Sequence, residues 1–143
     1  MQRLDPHESL GFHCNLTQKA FLGALEKHLR GSGVSPGQHV ALAQLIASGP
    51  VSQSELVSRL SITPATGVRL IDRMERDGWV VRRPDPTDGR VKLVVPTPRA
   101  AVAWKQISEA GRKVLARAYR GISAAELETV KQVLARVRQN LGG

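Results

Sequence analysis

Residues 50–97 read PVSQSELVSRL, then SITPATGVRLIDRMERDGW, then VVRRPDPTDGRVKLVVPT. The first two pieces carry helical patterning with a short break between them. Two close helices suit insertion of the second into a DNA major groove. In the third piece Trp79, Val80 and Val81 are β-formers, and Pro84, Pro86 and Gly89 exclude helix. Val91, Leu93 and Val95 then alternate with Arg90, Lys92 and Val94, as in a half-buried strand. The result is a hairpin with a loop of about six residues. It carries Arg82, Arg83, Arg90 and Lys92. Such a tongue reaches phosphates, and an arginine near its tip can enter a minor groove. The plan is a winged helix-turn-helix, mainly α with a small β-hairpin, and it points to duplex DNA.

The remaining helices are read from their ends. Asp5-Pro6-His7-Glu8 and Ser35-Pro36-Gly37-Gln38 each combine a capping side chain, a first-turn proline and an acceptor at N3. Ser52-Gln53-Ser54-Glu55 and Ser123-Ala124-Ala125-Glu126 are capping boxes, and Thr63-Pro64 and Thr97-Pro98 pair a hydroxyl cap with proline. Gly31 and Gly33, Gly49, Gly78 and Gly121 mark the stops. Helices are expected at roughly 6–30, 36–47, 53–60, 64–77, 98–119 and 124–140.

The outer helices carry apolar stripes. In the last, Leu127, Val130, Leu134, Val137 and Leu141 step by three and four. Leu10, Cys14, Phe21, Leu25 and Leu29 form a looser stripe in the first helix, and Trp104, Ile107, Gly111, Val114, Leu115 and Ala118 one in the fifth. Each stripe alone could pack on the chain's own core. Together they exceed what one small winged domain covers, so a homodimer with both chain ends in its interface is expected. The expected layout has residues 1–33 and 98–143 supplying dimerisation helices, and residues 34–97 the DNA-binding region.

Composition agrees. The 143 residues carry a formal charge of +9, largely on arginine. That balance favours a polyanion, either nucleic acid or an anionic surface. Aromatics are 3% of the chain, too few for a single-strand stacking platform. Cys14 is the only cysteine, which excludes an internal disulfide and fits a reducing, cytoplasmic compartment. No membrane span, signal peptide, cofactor motif or metal-ligand spacing stands out among the four histidines His7, His13, His28 and His39. No nucleophile–base order or phosphate-cradling loop suggests an enzyme.

On the second helix of the motif, Val68, Leu70 or Ile71, and Met74 are expected in the core. Thr63, Ala65, Thr66, Arg69 and Arg73 are left to face DNA, with backbone N–H groups free at the N-terminus. Arg73 could instead pair with Asp72 or Asp77. Gly67 in mid-helix costs about 1 kcal/mol relative to alanine. Close approach to DNA or tight helix packing would each account for it. In the wing, Asp88 sits two residues from Arg90 and can hold its guanidinium in one rotamer. The plainer reading is a surface salt bridge that stabilises a turn.

These residues resemble the MarR family of winged-helix regulators over nearly the whole chain. The most specific stretch is LIDRMERDGWVVRRPDPTDGRVKLVVPT, residues 70–97, where Leu70, Asp72, Arg73, Gly78, Arg82, Arg83, Asp85, Pro86, Asp88, Arg90 and Thr97 match the family pattern. Gln53, Glu55, Leu56 and Leu60 match its helix entry. The resemblance implies a homodimer whose terminal helices intertwine into one domain and which binds a short inverted repeat, as a repressor released by a small ligand or an oxidant. It assigns Arg90 to the minor groove with Asp88 as its support, and residues 63–73 to the major groove. Arg82 and Lys92 join the expected DNA contacts. Gly89 replaces a second arginine common in relatives, and Gly67 and Val68 replace a β-branched residue and a threonine.

Relatives bind small aromatic acids between the wing domain and the terminal helices. Phe12, His13, Leu16, His39 and Trp104 are the corresponding wall residues for an aromatic or phenolic effector. Some relatives sense peroxides through a first-helix cysteine. Cys14 lies there, but Tyr119 is the only tyrosine, and burial as a small hydrophobe is the expected role. Two other readings stand beside the ligand-released repressor: a redox regulator based on Cys14, and a winged-helix module that binds protein and not DNA.

Overall fold

The computed structural model describes residues 5–143. A 3-10 turn, Pro6–Glu8, precedes α1 (Leu10–Leu29) and α2 (Pro36–Ser48). Then follow β1 (Val51–Ser52), α3 (Gln53–Arg59), α4 (Pro64–Arg76), β2 (Val80–Pro84), β3 (Lys92–Pro96), α5 (Pro98–Ala118) and α6 (Ala124–Asn140). The six capping residues expected from sequence all accept a backbone N–H, whereas Ser9 at the start of α1 makes no side-chain cap. Ser35 and Ser123 form reciprocal boxes with Gln38 and Glu126. Thr63 and Thr97 accept from the N3 backbone of α4 and α5. Two details differ from the sequence reading. Asp5 caps only the 3-10 turn, and extended Ser9 separates that turn from α1, so the expected helix over 6–30 is two pieces. Ser52 caps α3, but Glu55 pairs with Arg59 at 2.9 Å and does not close the box.

The hairpin gains a third strand. β1 pairs antiparallel with β3 (Val51 opposite Val94), and β3 with β2 from Val80–Pro96 to Pro84–Lys92, giving the order β1-β3-β2. A two-residue strand has too little periodicity to announce itself in sequence. The buried face also differs. Val94 is the fully buried residue of β3, while Val91, Leu93 and Val95 are half-buried, because α2 and α3 pack on the Val94 side.

The core joins all parts of the wing domain to α5. Leu42 and Leu45 of α2, Leu56 of α3, Ile71 and Met74 of α4, and Val80 and Val94 of the sheet are fully buried. Leu25 and Leu29 extend it into α1, and Ala100, Ile107, Ala110 and Val114 into α5. Two polar links fix the frame. Gln38 Nε2 donates to Asp77 Oδ2 at 3.1 Å, tying the start of α2 to the end of α4. Thr97 Oγ1 donates to the Gly78 carbonyl at 2.7 Å, tying the start of α5 to the turn after α4. Gly78 makes that turn with φ of 80°, a conformation L side chains avoid.

Gly67 is buried, and a Cβ there would lie 2.4 and 2.8 Å from the two methyls of Val57. Tight packing of α3 on α4 therefore accounts for this glycine, and close approach to DNA does not. Because position 67 takes the inward seat, Val68 is turned outward and is 38% exposed, contrary to its expected place in the core. Gly67→Ala should lower stability by about 1–2 kcal/mol net: overpacking costs up to about 3 kcal/mol, and alanine regains about 1 in helix propensity. Urea unfolding measures it. Adding Val57→Ala should recover part of the loss, and a Gly67→Ala chain as stable as the parent would contradict this packing.

Candidate nucleic-acid interface

The start of α4 presents its donors outward. Thr63 Oγ1 accepts from Thr66 N at 3.3 Å and donates to Thr66 Oγ1 at 2.9 Å, leaving the Thr66 hydroxyl proton free. Ala65, Thr66, Arg69 and Arg73 are all exposed. Among the described residues neither Arg69 nor Arg73 forms an ion pair. The alternative partners of Arg73 are engaged elsewhere. Asp77 accepts from Arg76 and Gln38, which hold its carboxyl below the usual range, and Asp72 binds Arg82.

Arg82 departs from its expected role. Its side chain is 18% exposed and reaches Asp72 at 2.6 Å and Glu75 at 3.2 Å, while Nε donates to Gln53 Oε1 at 2.7 Å. It is a brace between wing base, α3 and α4, with its donors turned inward and not toward phosphate. The brace also neutralises Asp72 beside the exposed row of α4. Sequence offers the residue types but not this convergence across 10 and 29 positions.

The wing tip is built by Asp85. Its Oδ1 accepts from Thr87 Oγ1 and Thr87 N, both at 2.7 Å, and from Asp88 N at 3.3 Å. These bonds, the Thr87 hydroxyl first, hold the Asp85 carboxyl below the usual range. Asp85 matched the family pattern but was assigned no role; an Asp two residues before a threonine is the signal for such a turn. Asp88 Oδ1 accepts from Arg90 N at 3.1 Å and pairs with Arg90 Nε at 3.2 Å. The Arg90 side chain is otherwise in solvent, 93% exposed. Lys92 and Arg83 are exposed on the adjoining strands. The structure thus brings an unpaired helix face and a pre-oriented arginine tip into one module.

The sequence model of the MarR family matches residues 32–91. The chain is 30% identical to the uncharacterized HTH-type transcriptional regulator YkoM of Bacillus subtilis, over 76% of this chain and 72% of that protein. It is 26% identical to the multiple antibiotic resistance protein MarR of Salmonella typhimurium, over 79% of each. This chain belongs to the MarR family of transcriptional regulators. Two solved structures share the fold at 23% identity. A cysteine variant of MarR from E. coli complexed with operator DNA gives a TM-score of 0.81 over 96% of this chain and 99% of that one. CouR from Rhodococcus jostii RHA1 bound to p-coumaroyl-CoA gives 0.82 over 94% of each. As a member of that family the chain is a transcriptional regulator and not an enzyme. No helix among the described residues is long and apolar enough to cross a membrane.

The five expected effector residues of this MarR-family chain do not form one pocket. Phe12 packs edge-on to His7 and His13, whereas His39 packs on Trp104 at 5.2 Å. Leu16 is exposed. A cleft of about 430 Å³ lies elsewhere, between the end of α1 (His28, Leu29) and α5 (Gln106, Glu109, Lys113). Side chains on α1 and α5 face it by tertiary packing, which local spacing does not encode. Cys14 is exposed, not buried, as is the whole stretch 13–20 of α1 around it.

His39 is buried with Nε2 unpartnered, against Trp104 and Gly111. Burial holds its pKa below the ordinary value of about 6.5, opposed by a backbone hydrogen bond at Ile107. The folded state then binds fewer protons than the unfolded chain between the lowered value and about 6.5. This contribution to stability is full above about 6.5 and falls as pH drops toward the lowered value. Thermal unfolding between about pH 7.5 and 5.5 should decline more steeply for the parent than for His39→Gln. Equal slopes would assign the decline to other groups.

Proposed function

We propose that this regulator acts as a homodimer on a short inverted repeat and represses until a small aromatic or phenolic effector releases it. The observation that carries the reading is the module itself: Thr63, Ala65, Thr66, Arg69 and Arg73 exposed on α4, beside an Arg90 tip held by Asp88. Lys92 adds a backbone contact. A second copy is supported by α6, which buries no residue against its own chain. Leu127, Leu134 and Val137 are only half-buried there, and Val130 and Leu141 are exposed. Exposed Leu10 and Leu16 on α1 and Tyr119 and Ile122 after α5 extend the uncovered apolar surface. Release by an aromatic effector is supported by the likeness to CouR and by the aromatic wall of His39 and Trp104 at the α2–α5 junction.

The test is selection of bound sites from random duplex DNA at two salt concentrations. The expected result is an inverted repeat with half-sites about 10 base pairs apart, bound with an affinity that falls steeply with salt. Binding without an enriched motif, lost at moderate salt, would reduce the interface to nonspecific charge attraction and favour a protein-binding module.

A further inference from the structure

We infer that Val68, with Ala65 beside it, reads the 5-methyl group of a thymine in each half-site. The inference rests on the proposed docking of α4 in the major groove. Its starting point is the packing of Gly67 on Val57, which rotates Val68 out of the core. The inner face of α4 is Gly67, Leu70, Ile71 and Met74. At helical spacing Ala65, Arg69 and Asp72 point the opposite way, and Val68 lies in that row's flank, one turn from Ala65 and one from Asp72.

The chemistry of this face divides in two. Arg69, Arg73 and Thr66 bring donors, which suit guanine, phosphate or any acceptor. Ala65 and Val68 bring only methyl groups. A valine pressed on the polar edge of guanine, cytosine or adenine would desolvate that edge without replacing its hydrogen bonds. Thymine alone presents an apolar group in the major groove. Asp72, the acid of the row, is held by Arg82 toward the wing, so it does not add an acceptor that would select cytosine at the same step. Valine is branched at Cβ and stiff in a helix, so its two methyls are presented at a fixed height above the helix. The methyl pair therefore works as a shape filter beside the guanidinium of Arg69.

The experiment replaces each thymine of the selected duplex in turn with deoxyuridine, which keeps every hydrogen bond and removes only the methyl. Binding of the full chain is followed by fluorescence anisotropy at one salt concentration. Removing one buried methyl is expected to weaken binding about fourfold, and removing it from both half-sites about 16-fold. The loss should fall at one symmetry-related position. Val68→Ala should lose affinity for the thymine duplex and become indifferent to uracil at that position. Val68→Thr, which keeps one γ-methyl, should retain part of the discrimination. Because Val68 is exposed on α4, both variants should unfold at the parent's denaturant midpoint. Parent affinity for the unmodified duplex reports on the docking itself, so its absence would overturn that reading and this one together. Tight specific binding that ignores uracil everywhere, a half-site lacking thymine, or a Val68→Ala chain as uracil-sensitive as the parent would overturn the methyl assignment alone.

Discussion

Arg90→Ala is expected to weaken binding to the selected inverted repeat by about 2–6 kcal/mol, since a specific arginine contact is worth about 1–3 kcal/mol and each dimer has two wings. The side chain is 93% exposed and, among the described residues, its ion-pair partner is Asp88 at 3.2 Å, so the fold should not notice its loss. Asp88 grips both the backbone N–H and the guanidinium of Arg90, which removes rotamer freedom before DNA arrives. Asp88→Ala should therefore weaken binding in the same direction but by less. Fluorescence anisotropy across a salt series measures both variants, with circular dichroism as the fold control. Unchanged affinity of Arg90→Ala would remove the wing from recognition and leave α4 alone.

Leu134→Glu is expected to convert the protein to monomers and to lower operator affinity by about 10²–10⁴-fold, the gain that holding two half-site readers together supplies. Leu134 sits mid-way along α6, in a stripe with no fully buried residue and with Val130 and Leu141 exposed. A carboxylate in the middle of a paired apolar face would have to be buried without a partner, which a dimer does not tolerate. Since α6 adds no buried residue to its own chain, the wing domain should keep its thermal transition. Sedimentation velocity reads the mass and anisotropy the affinity. A variant that stays dimeric and active would show that α6 lies outside the interface.

The architecture was legible because its signals are local. The pairs Ser35–Gln38, Thr63–Thr66, Thr97–Ala100 and Ser123–Glu126 act within one helical turn, and the observed caps follow from them. The wing followed from alternating valines between prolines, and Asp88–Arg90 from two residues standing two apart. The departures share another origin. Arg82 looked like a free cation until Asp72, Glu75 and Gln53 arrived from two other helices. Val68 looked like a core residue until Val57 of α3 claimed the space over Gly67. Cys14 belongs to an apolar stripe, yet residues 13–20 of α1 are all exposed.

By itself, then, the sequence determined the helix caps, the wing hairpin, the order of these parts and the winged-helix family, because capping, periodicity and turn chemistry act over a few residues. Only the tertiary structure decided which arginine braces and which is free, which valine is inside, and where the cleft lies. Those outcomes depend on side chains that meet from distant positions, and one methyl group of space between two helices was enough to settle the face of α4.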